Sequence, residues 1–151
     1  MDKNYLKWHK EKKRINNNQD RVFFSEREVW FCHLGENVGF EQDGRGDSYL
    51  RPVIVLKKFN NEICWAIPLT KRVKPNRPFN FVLSFNKGVR STAILSQIRL
   101  LDVKRLKYKI GTVRKNDFIS LKEKIRRLIA WFCYPASGEG RSHLYDNYTR
   151  N

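Results

Sequence analysis

Arg51 stands directly before Pro52 at the entrance of an apolar run, and it is the side chain here best suited to bind a phosphate. A guanidinium is always charged and can grip two phosphate oxygens at once. The following proline pushes its backbone toward an extended conformation. An ion pair with Glu41 or Asp43 would use the same side chain structurally, and the residues alone leave both readings open. Thr70 closes the run Pro68-Leu69-Thr70. There a hydroxyl and a backbone N–H could meet a phosphate, although capping a turn is the commoner task for such a threonine. Glu41 could accept a proton or hold its loop together. Ser96 and Gln97 emerge from the buried-looking run Ala93-Ile94-Leu95, where a corner glutamine more often serves structure than substrate. Phe40 and Tyr49 offer rings on which RNA bases could stack. His33 titrates near neutrality unaided, but flanked by Cys32 and Leu34 it reads as a packed or surface strand residue. No ligand pair has metal spacing, no glycine-rich loop leads a strand into a helix, and no Ser-His-Asp set is suggested.

These residues have to be held by the elements around them. Residues 35–53 form a long loop between two strand-like runs and hold Gly35, Gly39, Gly44 and Gly46 out of 8 glycines in the chain. Glu36, Glu41, Asp43 and Asp47 make it acidic in a basic protein. With Glu41 near one end and Arg51 at the other, it is expected to act as a mobile lid over a phosphate site. Strands are predicted at 29–34, 52–56 and 63–69, then through the strict alternation Phe79-Phe81-Leu83-Phe85, and at 92–95, 98–101 and 110–113. Asn116 is the expected N-cap of a helix whose Phe118, Leu121, Ile125, Leu128, Ile129 and Phe132 share one face, with Pro135 as its stop. Many short strands and one closing helix predict a compact barrel-like sheet. Residues 1–25 form a basic extension, read as a short helix that is either frayed or packed through Trp8. Residues 26–134 form the barrel domain, and 135–151 a flexible tail.

Composition narrows the partners. With 31 Lys and Arg against 15 Asp and Glu, the net charge of +16 favours a polyanion, of which nucleic acid is the commonest. At 151 residues and 40% apolar content the chain can bury a core. Neither a signal-peptide core nor an apolar run of the roughly 20 residues a membrane span needs is visible. Cys32, Cys64 and Cys133 are odd in number and lie in apolar runs. They read as buried hydrophobes in a reducing compartment, so the cytoplasm is the expected location. The residues by themselves support a basic β-rich domain with a candidate anion site at Arg51, and they do not prove an enzyme.

Several blocks, in order, resemble a known family. Glu28-Val29-Trp30-Phe31 to Leu34, Gly39-Phe40-Glu41-Gln42, Arg51-Pro52-Val53-Ile54-Val55, Pro68-Leu69-Thr70, Ala93 to Arg99 and Lys109 to Val113 look like the MazF/PemK toxins. The resemblance covers roughly residues 26–132. It implies an SH3-like barrel with a long C-terminal helix, a homodimer, and a toxin silenced by a cognate acidic antitoxin. It also implies an endoribonuclease that cuts single-stranded RNA without metal or cofactor, by attack of a 2′-OH that leaves a 2′,3′-cyclic phosphate. Carried over by motif, the catalytic residues are Arg51 and Thr70, and the family's Glu-Gln pair falls on Glu41 and Gln42; of these Glu41 is read as the base. Gln42, Phe40, Ser96 and Gln97 would bind substrate. Phe40 replaces a polar residue found in many members, and Ile94 and Ser96 stand where one subgroup has an arginine and an acid. The spacer from Gln42 to Arg51 is longer than in short members. Two other functions remain in view: a non-catalytic toxin of the same fold, like the CcdB proteins that bind DNA gyrase, and a plain RNA-binding module.

Overall fold

The computed structural model describes residues 3–72, 77–86 and 88–130. The expectations for Phe132, Cys133, Pro135 and the tail fall outside them. The elements are helix α1 (Tyr5–Asn17), strands β1 (Glu28–His33), β2 (Leu50–Lys58), β3 (Ile63–Thr70), β4 (Asn80–Phe85), β5 (Val89–Ile94), β6 (Arg99–Asp102) and β7 (Leu106–Thr112), and helix α2 (Lys115–Ala130). Single 3-10 turns at Leu95–Gln97 and Val103–Arg105 flank β6.

The strands pair antiparallel in the order β4-β5-β3-β2-β1-β7, and β6 joins β3. A bridge between Phe85 and Val113 brings the β4 end against the end of β7, closing the sheet toward a barrel. Asn86 reinforces that seam by donating to the Ile110 carbonyl. It lies so close to Gly111 that a Cβ there would come within 2.5 Å of its side-chain oxygen. This is the mainly β barrel with a C-terminal helix expected from the sequence.

Side chains alternate across a strand, and β2 feeds both sides. Ile54 and Leu56 pack with Val29, Ile67, Leu69 and Val113 under Phe118, Leu121 and Ile125 of α2. Val53 and Val55 face Trp30, Cys32, Cys64, Ala66, Leu101 and Val103. Burial on both faces explains why residues 53–56 are apolar without a break. Burial also pushes the Cys32 thiol up to about 12 and the Cys64 thiol up to about 11. Both are packed hydrophobes, as expected.

Helix α2 departs from the sequence reading at each end. It begins at Lys115, one residue before the expected cap, because the Arg114 carbonyl already accepts the Phe118 N–H. Asn116 therefore lies in the first turn, where Asp117 meets the positive end of the helix as expected. Ile129 is 66% exposed and falls off the buried stripe. Helix α1 is not a frayed tail. Asn4 caps it by accepting the Lys7 N–H at 2.9 Å, and Trp8 and Ile15 are buried in a small core with Tyr49.

Candidate active site

A cavity of about 590 Å³ opens where the 39–45 loop, the start of β2, the end of β3 and the Leu95–Gln97 turn converge. Arg51, Thr70, Glu41, Gln42, Phe40, Ser96 and Gln97 all line it. So do Arg45, Arg72 and Arg77, which sequence reasoning did not single out. The signal of Arg72 and Arg77 was present as basic residues near strand ends, but it was hidden in a chain that is basic almost throughout.

Arg51 is buried, 8% exposed, near the start of β2. Its Nε donates to the Asp43 carbonyl, and Nη1 donates to the Leu69 carbonyl at 3.4 Å. Among the described residues no carboxylate comes within 4.0 Å of it, because the Asp43 side chain is paired with Lys3 at 2.9 Å instead. The ion-pair alternative is thus not what the structure contains. Nη2 makes no bond to a described residue. Burial first, then the neighbouring Arg45, lowers the Arg51 guanidinium below the ordinary arginine value, while Asp43 opposes the shift. A buried cation fixed by neutral carbonyls, with one edge unpaired at a cavity, is incomplete until an anion arrives.

Thr70 ends β3, and its hydroxyl accepts the Arg72 N–H at 3.3 Å. It caps the turn there and lines the cavity as well. The Leu69 carbonyl that holds Nη1 precedes it, so the β3 end fixes arginine and threonine together. The Gly39–Asp43 segment, which ends on the Asp43 carbonyl bonded to Arg51, lines the same cavity. Glu41 is exposed, and its carboxylate accepts the Val38 N–H at 3.3 Å while its own N–H donates to the Val38 carbonyl at 3.1 Å. Gln97 spans the gap, accepting the Gln42 N–H at 3.2 Å and donating to the Phe40 carbonyl at 3.3 Å. Its amide clamps the loop backbone from the Leu95–Gln97 turn. Phe40 projects at the rim, fully exposed at 100%. Ser96 is exposed beside it.

The loop from 35 to 49 is a folded unit and does not have the character of a free lid. Gly44 donates to the Gly35 carbonyl at 2.7 Å, Arg45 bridges to Leu50, and Leu34 donates to the Tyr49 carbonyl at 3.0 Å. A Cβ on Gly44 would sit 1.7 Å from the Tyr49 carbonyl oxygen, so only glycine fits that crossing. His33 lies away from the cavity. It is 3% exposed, its Nδ1–H donates to the Ser48 carbonyl at 2.7 Å, and burial lowers its basicity.

Residues 25–129 match the family described as PemK-like, MazF-like toxins of type II toxin–antitoxin systems. The chain belongs to that family. Solved structures agree on the fold. A MazF structure from Deinococcus radiodurans is 22% identical with a TM-score of 0.54, covering 74% of this chain and 99% of that one. Toxin MazF-mt6 of Mycobacterium tuberculosis is 15% identical with a TM-score of 0.51, covering 68% of this chain and 96% of its own. A MazE–MazF structure from Deinococcus radiodurans matches at 19% identity and a TM-score of 0.50, covering 73% and 97% respectively. No curated protein matches. In this PemK/MazF-type toxin the family match begins at residue 25, so helix α1 precedes it. Among the described residues no helix is long and apolar enough to cross a membrane.

Proposed function

We propose that this toxin is a metal-independent endoribonuclease that cuts single-stranded RNA at the cavity around Arg51. The observation that carries the reading is a buried guanidinium held by two carbonyls, with no carboxylate pairing it among the described residues, in a cavity edged by three further arginines. In the reaction the substrate 2′-OH attacks the adjacent phosphorus and loses its proton to a base. The bond to the 5′ oxygen of the next nucleotide breaks, and that oxygen takes up a proton. The products are a 2′,3′-cyclic phosphate and a 5′-OH. Negative charge grows on the non-bridging oxygens during attack, and a cation already fixed in place stabilises it without reorganising. That is the role of Arg51; a guanidinium holds its proton too firmly to be a good proton carrier, even where burial lowers its pKa as here. Thr70 positions the phosphate through its hydroxyl, and Glu41, exposed in the lining of the same cavity, takes the 2′-OH proton. Gln42, Ser96 and Phe40 contact the flanking nucleotides, Phe40 by stacking. Gln97 supports Phe40 and Gln42 by holding their loop.

The toxin works in the cytoplasm as a homodimer and is silenced by a cognate antitoxin whose acidic segment competes for the arginine-lined cavity. Purified protein incubated with a long single-stranded RNA in excess EDTA tests the enzymatic claim. Cyclic-phosphate ends that disappear in Arg51→Ala support it. Intact RNA that is nevertheless bound would leave a plain RNA-binding module, which the exposed Phe40 would suit. Growth arrest with neither cutting nor binding would point to a protein target, as for gyrase-directed toxins of this fold.

A further inference from the structure

The loop behind Arg51 is acidic in a strongly basic protein, and Lys3 together with helix α1 supplies the reason. The Lys3 ammonium pairs with the Asp43 carboxylate at 2.9 Å and also donates to the Asn37 carbonyl. The Asn37 N–H donates to the same carboxylate at 2.7 Å, so Asp43 is held from two directions. Lys7 pairs with Asp47 further along the loop. Trp8 occupies the notch above Gly35, where a Cβ would lie 2.0 Å from its ring, and its ring sits 5.1 Å from that of Tyr49. Tyr49 in turn adopts a positive φ of 50° and offers its carbonyl to Leu34. The backbone carbonyl of Asp43, the residue Lys3 holds, is the acceptor for Arg51 Nε. A continuous chain of contacts therefore runs from Lys3, just before helix α1 and outside the family match, through Asp43 to the guanidinium in the cavity.

We propose that the N-terminal segment, Lys3 followed by helix α1, is a positioning element for Arg51, with Lys3, which precedes the Asn4 cap, as its positioning residue acting through Asp43. Lys3 touches no reacting atom. It fixes the side chain of the residue whose carbonyl aims the guanidinium, and Trp8 fixes the loop that carries that residue. This rests on the reading of Arg51 as the phosphate-binding group. Small displacements of such a group are costly, because a shift of about 1 Å can lower a rate by about a hundredfold.

The test uses the full chain and the variants Lys3→Ala, Lys3→Arg, Asp43→Asn and the double variant Lys3→Ala/Asp43→Asn. Three quantities are measured: single-turnover cleavage of RNA, RNA affinity, and the NMR signal of the Arg51 Nε–H with its rate of exchange with solvent. Positioning predicts that Lys3→Ala slows cleavage about tenfold, within the range that misplacement produces, while affinity changes little. Lys3→Arg restores the rate, and the double variant is no slower than either single one. Asp43→Asn is the discriminating case. If Lys3 merely attracted RNA, neutralising Asp43 would leave cleavage intact or improve it; positioning requires that it slow cleavage as Lys3→Ala does. The Nε–H proton should exchange faster in both single variants. Wild-type cleavage rates in Lys3→Ala, or a rate loss with the Nε–H signal unaltered, would overturn the proposal. If the wild type itself fails to cut RNA, the endoribonuclease reading falls, and the Nε–H measurement, which needs no substrate, still decides whether the Lys3–Asp43 pair holds Arg51.

Discussion

Arg51 is costly to bury, and its partners show what the cost serves. Carbonyl acceptors satisfy part of the guanidinium while leaving its charge uncompensated, so the site is poised for an anion. Arg51→Lys should therefore not rescue activity. A lysine is a point charge without a planar fork, and we expect its cleavage rate to fall about a hundredfold, the scale of losing one fixed donor to a transition-state oxyanion. His33 carries a second prediction. Burial lowers its folded pKa below the ordinary 6.5. The unfolded chain then binds more protons near and below that value, so stability is full above it and declines as pH falls toward the folded pKa. Urea midpoints between about pH 7 and about pH 5.5 should drop in the wild type, and His33→Gln should flatten that slope. Arg51 and Thr70 could be found in the sequence because each sits at the end of a hydrophobic run that fixes its place. The clamp made by Gln97 could not, since its partners are backbone atoms 55 and 57 residues away.

At the level of elements, strand identity was legible wherever burial had a period or an unbroken run, as in β2 and β3. Ends were less so. β7 starts at Leu106, before the apolar residues that signalled it, because pairing with β1 holds residues with no apolar pattern of their own. The docking of α1 was not decidable from its ragged stripe, which contributes just Trp8 and Ile15 to burial. What holds the helix is an aromatic notch and two lysines, features visible only once the loop is folded beneath it. Trp8→Ala should cost about 3 kcal/mol in denaturant unfolding, as large-to-small changes at buried aromatics do. Thr92 gives a prediction of opposite sign. It pairs across the sheet with Thr70, is fully buried, and its hydroxyl has no partner among the described residues. Thr92→Val removes that unmet group at nearly constant shape and should stabilise the fold by about 1 kcal/mol.

For the whole molecule, the charge of +16 is distributed with a purpose that composition alone could not show. Asp43 and Asp47 of the 35–49 loop pair with Lys3 and Lys7 of the N-terminal segment, and Arg45, Arg72 and Arg77 gather at the cavity with Arg51. RNA affinity should accordingly fall steeply with salt. For single strands the slope of log affinity against log salt changes by about 0.7 for each phosphate the protein neutralises. Removing Arg72 or Arg77 should flatten it by about that amount, while Arg21→Ala, on an exposed ion pair with Glu62 and outside the cavity lining, should leave it unchanged. A flat response in the wild type would contradict binding through this cavity.

The most direct test of the central claim compares what Arg51→Ala does to cleavage with what it does to binding. Single-turnover rates and equilibrium affinity for one single-stranded RNA, both measured in excess EDTA with the ends mapped, separate the two. If Arg51 acts on charge that develops during phosphate attack, the rate should drop by about a hundredfold or more while affinity weakens only a fewfold. A rate that is unchanged, or that falls only in proportion to affinity, would contradict the assignment.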